Sequence, residues 1–327
     1  MSKRLSVIIV SYNTQDLLQS CLDSLFSRSQ DKEAMEVIVV DNASSDDSVP
    51  MLRERFPQVH VLAQGTNLGF AAANNLAFAQ AQGRYIFLLN PDARIEAGAL
   101  DSCVQYMQRT PDCGLCGGRI LNMDGTPAPS ARSYPSVLNK GLVLSSLSAK
   151  FPASRICGRP DMTYLAADRA VDVDWVPGTF SCLRRDMLEE IGFFDERYFM
   201  YYEETDLCLR ANQSEWKVVF LPEARVWHVG GASSKTRKDM TFDSSGSQLL
   251  KFRLRSEMLY WRKNFGLGPL VGNIGLEYGF HLLRALKNSV GGGERDGKRQ
   301  ASLHFLNQTH AALRDTAWGR RSPKRPW

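Results

Sequence analysis

Long apolar runs are missing from this chain. No stretch of 18 or more uninterrupted apolar residues occurs in its 327 residues, so no transmembrane helix is predicted. The run Leu5-Ser6-Val7-Ile8-Ile9-Val10 is too short for the apolar core of a secretion signal, and secretion is not expected. Cysteine is scattered and odd in number at seven, which with the missing signal predicts free thiols in a reducing cytoplasm. Cys113-Gly114-Leu115-Cys116 has no second pair and no nearby histidine, so packing is the ordinary expectation rather than zinc or redox chemistry. Internal repeats, low-complexity tracts and a nucleic-acid-binding motif are absent as well.

What is present suffices for one large core with a smaller appendage, since 43% of the residues are hydrophobic. Charge is unevenly placed. Residues 251–327 hold 15 Lys and Arg against 5 Asp and Glu, whereas the residues before them hold 25 against 30. Phe252, Tyr260, Trp261, Phe265, Leu267 and Leu270 are mixed into that basic segment, which points to an anionic membrane surface rather than nucleic acid. A solvated basic helix is the plainer alternative.

Along the chain, apolar β-branched runs alternate with helical spacing. Leu5 to Val10 reads as a strand, and Leu17, Leu18, Cys21, Leu22 and Leu25 as a helix face. Val37 to Val40 is a second strand. The Ser and Asp residues of Asp41 to Ser48 suit a helix cap before Met51 to Phe56. Val59 to Leu62 is a third strand, Asn67 to Ala81 an alanine-rich helix, and Tyr85 to Leu89 a fourth strand. Such an order implies a mostly parallel sheet covered on both faces, with ligands at the carboxyl ends of its strands. After Pro111 the pattern loosens: Gly117-Gly118, Pro127, Pro129 and Pro135 read as loops, Leu138 to Phe151 as a mobile or helical insertion, and Val171 to Val176 as an edge strand.

Polar clusters fall at the expected strand ends. Asn90-Pro91-Asp92-Ala93 stops the fourth strand, because proline lacks the N–H and restricts its predecessor, so Asp92 is presented from a fixed turn suited to a metal ion. A plain strand-ending turn is the structural alternative. Farther on, Phe193 to Arg210 sets five acids among aromatics, surroundings that raise the proton affinity of a general base. The alternative is an amphipathic helix from near Glu203, its first-turn acids interacting with the macrodipole; the two are compatible. In Val226-Trp227-His228-Val229-Gly230-Gly231 a lone histidine sits where a core role is ordinary, unless a metal needs a ligand beside Asp92.

Five segments occur in an order that resembles the family 2 glycosyltransferases, inverting enzymes of the GT-A fold: Val7 to Asn13, Asp41 to Asp46, Asn67 to Asn75, Leu89 to Asp92, and Phe194-Asp195-Glu196 through Arg210. The likeness covers about residues 5 to 235 and is nearest the bacterial rhamnosyltransferases of cell-surface polysaccharide synthesis. It implies an α/β catalytic domain over residues 1–245, with a nucleotide-binding half (1–115) and an acceptor half (116–245), followed by a basic, mostly helical tail over 246–327. It also implies a nucleotide-diphosphate sugar donor, dTDP-rhamnose by likeness, cradled by Ser11, Tyr12, Asn13, Asp41, Asn67, Gly69 and Asn74. Asp41 is suited to accept from a pyrimidine N3–H. Asp92 and His228 are implied to hold Mg2+ or Mn2+ at the diphosphate, and Glu203-Glu204 to match the Glu-Asp pair whose second member is the base. Trp175, Gly178, Thr179 and Asp206 are implied on the side of a saccharide or lipid-linked saccharide acceptor, and the tail from about Ser247 is expected at the cytoplasmic face of the inner membrane. Two departures stand out: Asn90 where the metal motif often begins with Asp, and Glu204 where Asp is usual. A sugar nucleotidyltransferase would carry a glycine-rich basic loop after the first strand, which Ser11-Tyr12-Asn13-Thr14 is not. A degenerate domain acting as a membrane-surface scaffold is the non-enzymatic alternative.

Overall fold

Seven alternating elements open the chain: β1 (Leu5–Ser11), α1 (Gln15–Arg28), β2 (Met35–Asp41), α2 (Ser48–Arg55), β3 (His60–Ala63), α3 (Phe70–Phe78) and β4 (Tyr85–Leu89). The computed structural model describes residues 4–29, 34–165, 168–229, 247–290 and 292–323. The four strands are parallel in the order β3-β2-β1-β4, as strands buried on both faces and joined through helices require. Leu5, Val7 and Ile9 of β1 face Leu18, Leu22 and Leu25 of α1 and Leu52 of α2 in the main core. Ile8, Ile38, Ile86 and Leu88 are buried on the opposite face, where α3 lies across β1 and β2. Fully burying each such side chain contributes about 1.5–3 kcal/mol. The side-chain cap expected ahead of Met51 is not made: the N-cap residue Asp47 forms no cap bond, and Asp46 Oδ1 instead accepts the Ser48 N–H at 3.1 Å in the turn that leads into α2.

Past β4 the sheet becomes mixed. β5 (Ala93–Ile95), β6 (Cys113–Leu121), β7 (Val171–Asp172), β8 (Phe180–Arg184) and β9 (Lys217–His228) extend it to nine strands in the order β3-β2-β1-β4-β8-β6-β9-β5, with β7 also on β9. β8 is antiparallel to β4 and β6, β9 is parallel to β6, and β5 is antiparallel to β9. Helices α4 (Ala99–Arg109), α7 (Arg185–Ile191) and α8 (Glu203–Gln213) complete this part.

The expectation of a loop at Gly117-Gly118 is corrected here, because both residues lie inside β6. A Cβ on Gly118 would stand 2.3 Å from the Ala224 carbonyl oxygen and 2.8 Å from the Phe180 ring, and one on Gly117 2.6 Å from Val176 Cβ. Close approach, not a turn, selects glycine at these positions. At the same place β9 advances from Leu221 to Arg225 while β6 advances from Gly118 to Arg119, so Pro222, Glu223 and Ala224 bulge out of the ladder. The edge strand expected over 171–176 keeps only two residues as strand, and the helix expected over 67–81 shortens to Phe70–Phe78 behind Gly69, whose φ is +84°.

By its internal contacts the chain divides into two compact units, one drawn from Met1–Tyr134, Leu165–Glu196 and Glu203–Asp239, the other from Pro135–Tyr164, Arg197–Tyr202 and Met240–Trp327. The second is helical: α5 (Val137–Leu144), α6 (Leu147–Lys150), α9 (Ser247–Asn264), α10 (Leu267–Lys287) and α11 (Glu294–Asp315). Ser136 caps α5 by accepting the Asn139 N–H. Lys140 of α5 bridges Glu257 of α9 and Glu277 of α10, so both buried carboxylates are compensated by one ammonium. The boundary expected at 245/246 lies outside the described residues, as do Gly230-Gly231.

Gly118→Val is expected to lower stability by about 2–3 kcal/mol through overpacking. Gly65→Ala, where an added Cβ meets nothing within 4 Å, is expected to stay within about 0.5 kcal/mol. Urea unfolding of the two variants checks the pair.

Candidate active site

The carboxyl edge of the sheet gathers the predicted residues. Ser11 and Asp41 are register partners and the last residues of β1 and β2. Asp92 follows β4 by three residues, and His228 ends β9. Asp41 is buried; its Oδ2 accepts the Ser44 N–H at 3.0 Å, while its Oδ1 is buried without a hydrogen-bond partner. Burial pushes the Asp41 carboxyl up, partly offset by its bonds from Ser44. An unused buried acceptor at a strand end fits a ligand that brings its own N–H.

Side-chain carboxamides zip the loops around this edge. The Asn13 N–H donates to Ser44 Oγ at 2.9 Å, and Asn13 Oδ1 accepts the Ser45 N–H at 2.7 Å, joining the loops after β1 and β2. Asn13 and Ala43 take left-handed backbone, with φ of +51° and +66°. Tyr12 lies half-buried between them and β1. Asn42 Oδ1 accepts the Leu68 N–H at 2.9 Å and its Nδ2 donates to the Gly69 carbonyl at 3.1 Å, while Asn67 Oδ1 accepts the Gly69 N–H. Asn74 is buried and donates to the Phe70 carbonyl at 2.8 Å. Asn42 was not among the predicted site residues, nor was Asn75, whose carboxamide holds Phe194 N–H, Phe194 O and Glu196 Oε1. The only signal for either was an asparagine directly beside a residue already singled out.

Pairing of Ala93 with His228 in the β5–β9 ladder brings the expected metal ligands together. Asp92 Oδ1 stands 3.0 Å from His228 Nε2, and the Val229 N–H donates to the Asp92 carbonyl. Asn90 Nδ2 is 3.5 Å from the same imidazole nitrogen, so Asn90 flanks the pair rather than supplying a second carboxylate. Two cis ligands of an octahedral cation at about 2.1 Å lie about 3 Å apart, so the observed separation and the oxygen–nitrogen donor set fit Mg2+ or Mn2+. No group of three or more His, Cys, Asp or Glu suited to a metal occurs among the described residues, so the remaining positions would fall to water and ligand. Cys21 of α1 lies beneath, and burial, then the Asp92 charge, push its thiol up. The CxxC cysteines are likewise inert: Cys113 and Cys116 are buried together with Cys103 and Cys182, and both thiols are raised.

Across this edge, Thr179 O accepts the Asn90 N–H at 3.0 Å, and Gly178 just before it donates its N–H to the Glu204 carboxylate. Glu203 and Glu204 occupy the first turn of α8. Glu204 Oε2 is buried without a hydrogen-bond partner. Burial raises the Glu204 pKa above the ordinary carboxylate value, opposed by its own N–H, Arg132 and the Gly178 N–H. A carboxylate in this environment holds a proton more tightly than an ordinary glutamate. Arg132 also caps the Trp175 ring at 5.1 Å, and Trp175 Nε1 donates to Ser133 O at 2.9 Å. Arg132 escaped the sequence reading because nothing in its local pattern distinguishes it. Asp206, expected on the acceptor side, is fully buried with Oδ2 3.0 Å from Arg210 Nε; Arg210 in turn donates to the carbonyls of Ile191, Gly192 and Phe193. Its carboxylate braces the turn leading to Phe194.

Known proteins resemble this chain in sequence or in fold. The N-acetylglucosaminyl-diphospho-decaprenol L-rhamnosyltransferase of Mycobacterium tuberculosis is 30% identical over 241 residues, covering 70% of this chain and 76% of its own. Rhamnosyltransferase WbbL of Escherichia coli K12 is 27% identical over 231 residues, covering 68% and 82%. Among solved structures, the mannosyltransferase PcManGT from Pyrobaculum calidifontis, in complex with GDP-Man and Mn2+, matches with a TM-score of 0.55 at 15% identity over 98% of this chain and 89% of that one. The fold is thus the GT-A fold, α/β with helices flanking a mostly parallel sheet. The sequence profile of Glycosyl transferase family 2 matches residues 6–192, and with it the chain belongs to that family.

Proposed function

We propose that this transferase is a metal-dependent inverting enzyme that moves a hexose, L-rhamnose from dTDP-rhamnose first among candidates, to a saccharide or lipid-linked saccharide. The observation that carries this reading is the Asp92–His228 pair at the strand edge that also holds the unused Asp41 acceptor. Asp41 Oδ1 accepts the N3–H of a pyrimidine, while the loops tied by Asn13, Asn42 and Asn67 shape the wall around base and ribose. Asp92 and His228 would hold a divalent cation, which would supply positive charge to the leaving nucleoside diphosphate. Glu204 takes the proton of the acceptor hydroxyl as that oxygen forms its bond to the anomeric carbon. The bond to the diphosphate breaks with its electron pair on the leaving oxygen, and the configuration inverts in a single displacement. Trp175, with Arg132 against its ring, offers a flat face for a sugar beside Gly178-Thr179. The names of the mycobacterial and E. coli relatives support rhamnose, the former also a diphospho-lipid acceptor, and the Mn2+ of the Pyrobaculum structure supports the metal.

The second unit supports a place at a membrane. No helix among the described residues is long and apolar enough to cross one. Leu267, Val271, Leu282, Leu283, Leu286 and Val290 are nonetheless exposed along and just past α10, beside Arg284 and Lys287. The single acidic residue of α10, Glu277, is buried against Lys140, so the exposed face is apolar and cationic. Such a face lies on the anionic cytoplasmic leaflet, where a lipid-linked acceptor would be met.

Titration calorimetry against dTDP-rhamnose, UDP-glucose, UDP-galactose, UDP-N-acetylglucosamine and GDP-mannose is expected to give Mn2+-dependent binding of one donor. Asp92→Ala should abolish that dependence and cost on the order of 10² to 10³ in turnover. Absence of metal-dependent binding in the unmodified protein overturns the reading.

Glu204→Gln should keep donor affinity and lose about 10² to 10⁴ in kcat. The raised carboxyl predicts an acidic limb of the kcat/KM profile above the ordinary glutamate value of 4.5. Folding binds this proton more tightly, so the stabilising contribution is full below that value and is lost as pH rises through the raised one. At neutral pH Glu204→Gln should therefore melt higher than the unmodified protein while turning over far more slowly. Glu204→Asp, short by one methylene or about 1 Å, should lose about a hundredfold in rate.

Flotation with vesicles containing phosphatidylglycerol should carry the protein up, and Leu283→Glu with Leu286→Glu should leave it at the bottom. Equal flotation of the double variant removes α10 as the docking face.

A further inference from the structure

Phe70 is the first residue of α3 and directly follows the loop tied to the end of β2. Asn42 and Asn67 hold that loop through Leu68 and Gly69, and Asn74 donates to the Phe70 carbonyl at 2.8 Å, so the backbone is fixed on both sides of Phe70. From this anchored position the ring reaches across to the segment before β8, where a Cβ on Gly178 would stand 3.6 Å from Phe70 Cε1 and Cζ. Gly178 donates its N–H to the Glu204 carboxylate, and the Thr179 carbonyl after it accepts the Asn90 N–H. The ring therefore lies between the loop assigned to the nucleotide and the segment that joins the candidate base to the candidate cation ligands.

An aromatic row backs this ring. The Phe70 and Phe194 centroids are 6.0 Å apart, Phe194 stacks on Phe193 at 4.3 Å and 18°, and Phe193 lies 5.1 Å from Phe78. Asn75 fixes the row through its backbone, accepting the Phe194 N–H at 3.1 Å and donating to the Phe194 carbonyl at 2.9 Å. Phe193 and Phe194 are buried, whereas Phe70 at the end of the row is half-buried. All of these residues belong to the first compact unit, as do Gly178 and Glu204. Phe70 is thus an apolar surface held from behind, with part of its ring uncovered.

We propose that Phe70 is a specificity-determining residue: the uncovered part of its ring carries the C6 methyl of a 6-deoxyhexose donor and selects such sugars over hexoses with a hydroxyl at C6. This deepens, and rests on, the reading of the chain as a transferase with a pyrimidine-nucleotide donor. A sugar whose diphosphate sits at Asp92 and His228 and whose anomeric carbon faces Glu204 must pass Gly178, where this ring stands. A ring carbon neither gives nor takes an ordinary hydrogen bond, so a methyl group gains contact there while a hydroxyl gives up hydration without return. Selection by an apolar surface against one added hydroxyl is limited to about a hundredfold. Phe70 continues the loop held by Asn42, which assigns its ring to the donor; Trp175, three residues before Gly178, is left for the acceptor.

Titration calorimetry on the full chain with Mn2+ tests this with donor pairs that differ only at C6: dTDP-L-rhamnose against dTDP-L-mannose, and UDP-6-deoxyglucose against UDP-glucose. In the pair that binds, the 6-deoxy member should have the lower Kd by about tenfold to a hundredfold. Phe70→Gln should bring the two Kd values within about threefold of each other, and Phe70→Leu should keep most of the preference. Each ratio is taken within one protein, so a change in the folded fraction cancels. Where Phe70→Gln does not fold, saturation-transfer NMR carries the test: irradiating the aromatic protons of the unmodified protein should saturate the C6 methyl more than any other sugar proton, and Phe70→Leu should remove that excess. Equal or tighter binding of the 6-hydroxy member by the unmodified protein overturns the proposal alone, as does a preference unchanged in Phe70→Gln or a C6 methyl that aromatic irradiation leaves unsaturated. Binding of none of the four donors overturns the pyrimidine-donor reading and this proposal with it.

Discussion

The short antiparallel pairing of β5 with β9 is the constraint on which the candidate site depends. β5 has three residues and begins directly after Asp92, and its first residue is the register partner of His228. Closing this ladder is what sets a carboxylate and an imidazole 3.0 Å apart, and the Val229 N–H extends it by bonding the Asp92 carbonyl. Pro91 has no N–H to give and disfavours continuation of β4, so the chain leaves the parallel sheet there and is caught by the other strand. β9 reaches that position past the bulge at Pro222 to Ala224, packed tightly over Gly118. A side chain at Gly118 would push on the Ala224 carbonyl, a few residues before His228.

Unmatched buried carboxylate oxygens lie at this edge, and the sheet core offsets their cost. Asp41 and Glu204 each bury an oxygen that no protein donor meets, and burial raises both carboxyls. Asn13 and Ala43 hold left-handed backbone there, which costs about 1–2 kcal/mol for a residue other than glycine. Such costs recur where a site is shaped for a ligand rather than for its own stability. Asp206 shows the opposite logic: buried equally deeply, it is matched by Arg210, whose guanidinium also collects three carbonyls of the preceding turn. A compensated carboxylate braces the fold, and an uncompensated one remains open to chemistry.

The parallel half of the fold was legible because β1, β2 and β4 are buried almost throughout and read as continuous apolar runs, β2 stopped by Asp41 and β4 by Asn90-Pro91. Asp41 and Asp92 follow from that rule directly. Strands β5, β6, β8 and β9 were not read: β5 is too short to show a period, and β6 is interrupted by Gly114, Gly117 and Gly118, which packing rather than propensity selects. His228 was legible from its surroundings only as a conditional ligand beside Asp92, which the resemblance strengthened, since its position comes from a pairing with a residue 135 positions earlier in the ladder, Ala93. Arg132 and Asn42 act through tertiary contacts that leave no local pattern.

The glutamate at 204, where family members usually carry aspartate, is intelligible once the entry into α8 is considered. A longer side chain at the same Cα would overshoot, so the Cα itself must stand farther back or the helix must enter at a different angle. Two consecutive tyrosines with φ of +72° directly precede the acids. Glu204 receives the Gly178 N–H, one residue from the Thr179 carbonyl that holds Asn90 beside Asp92.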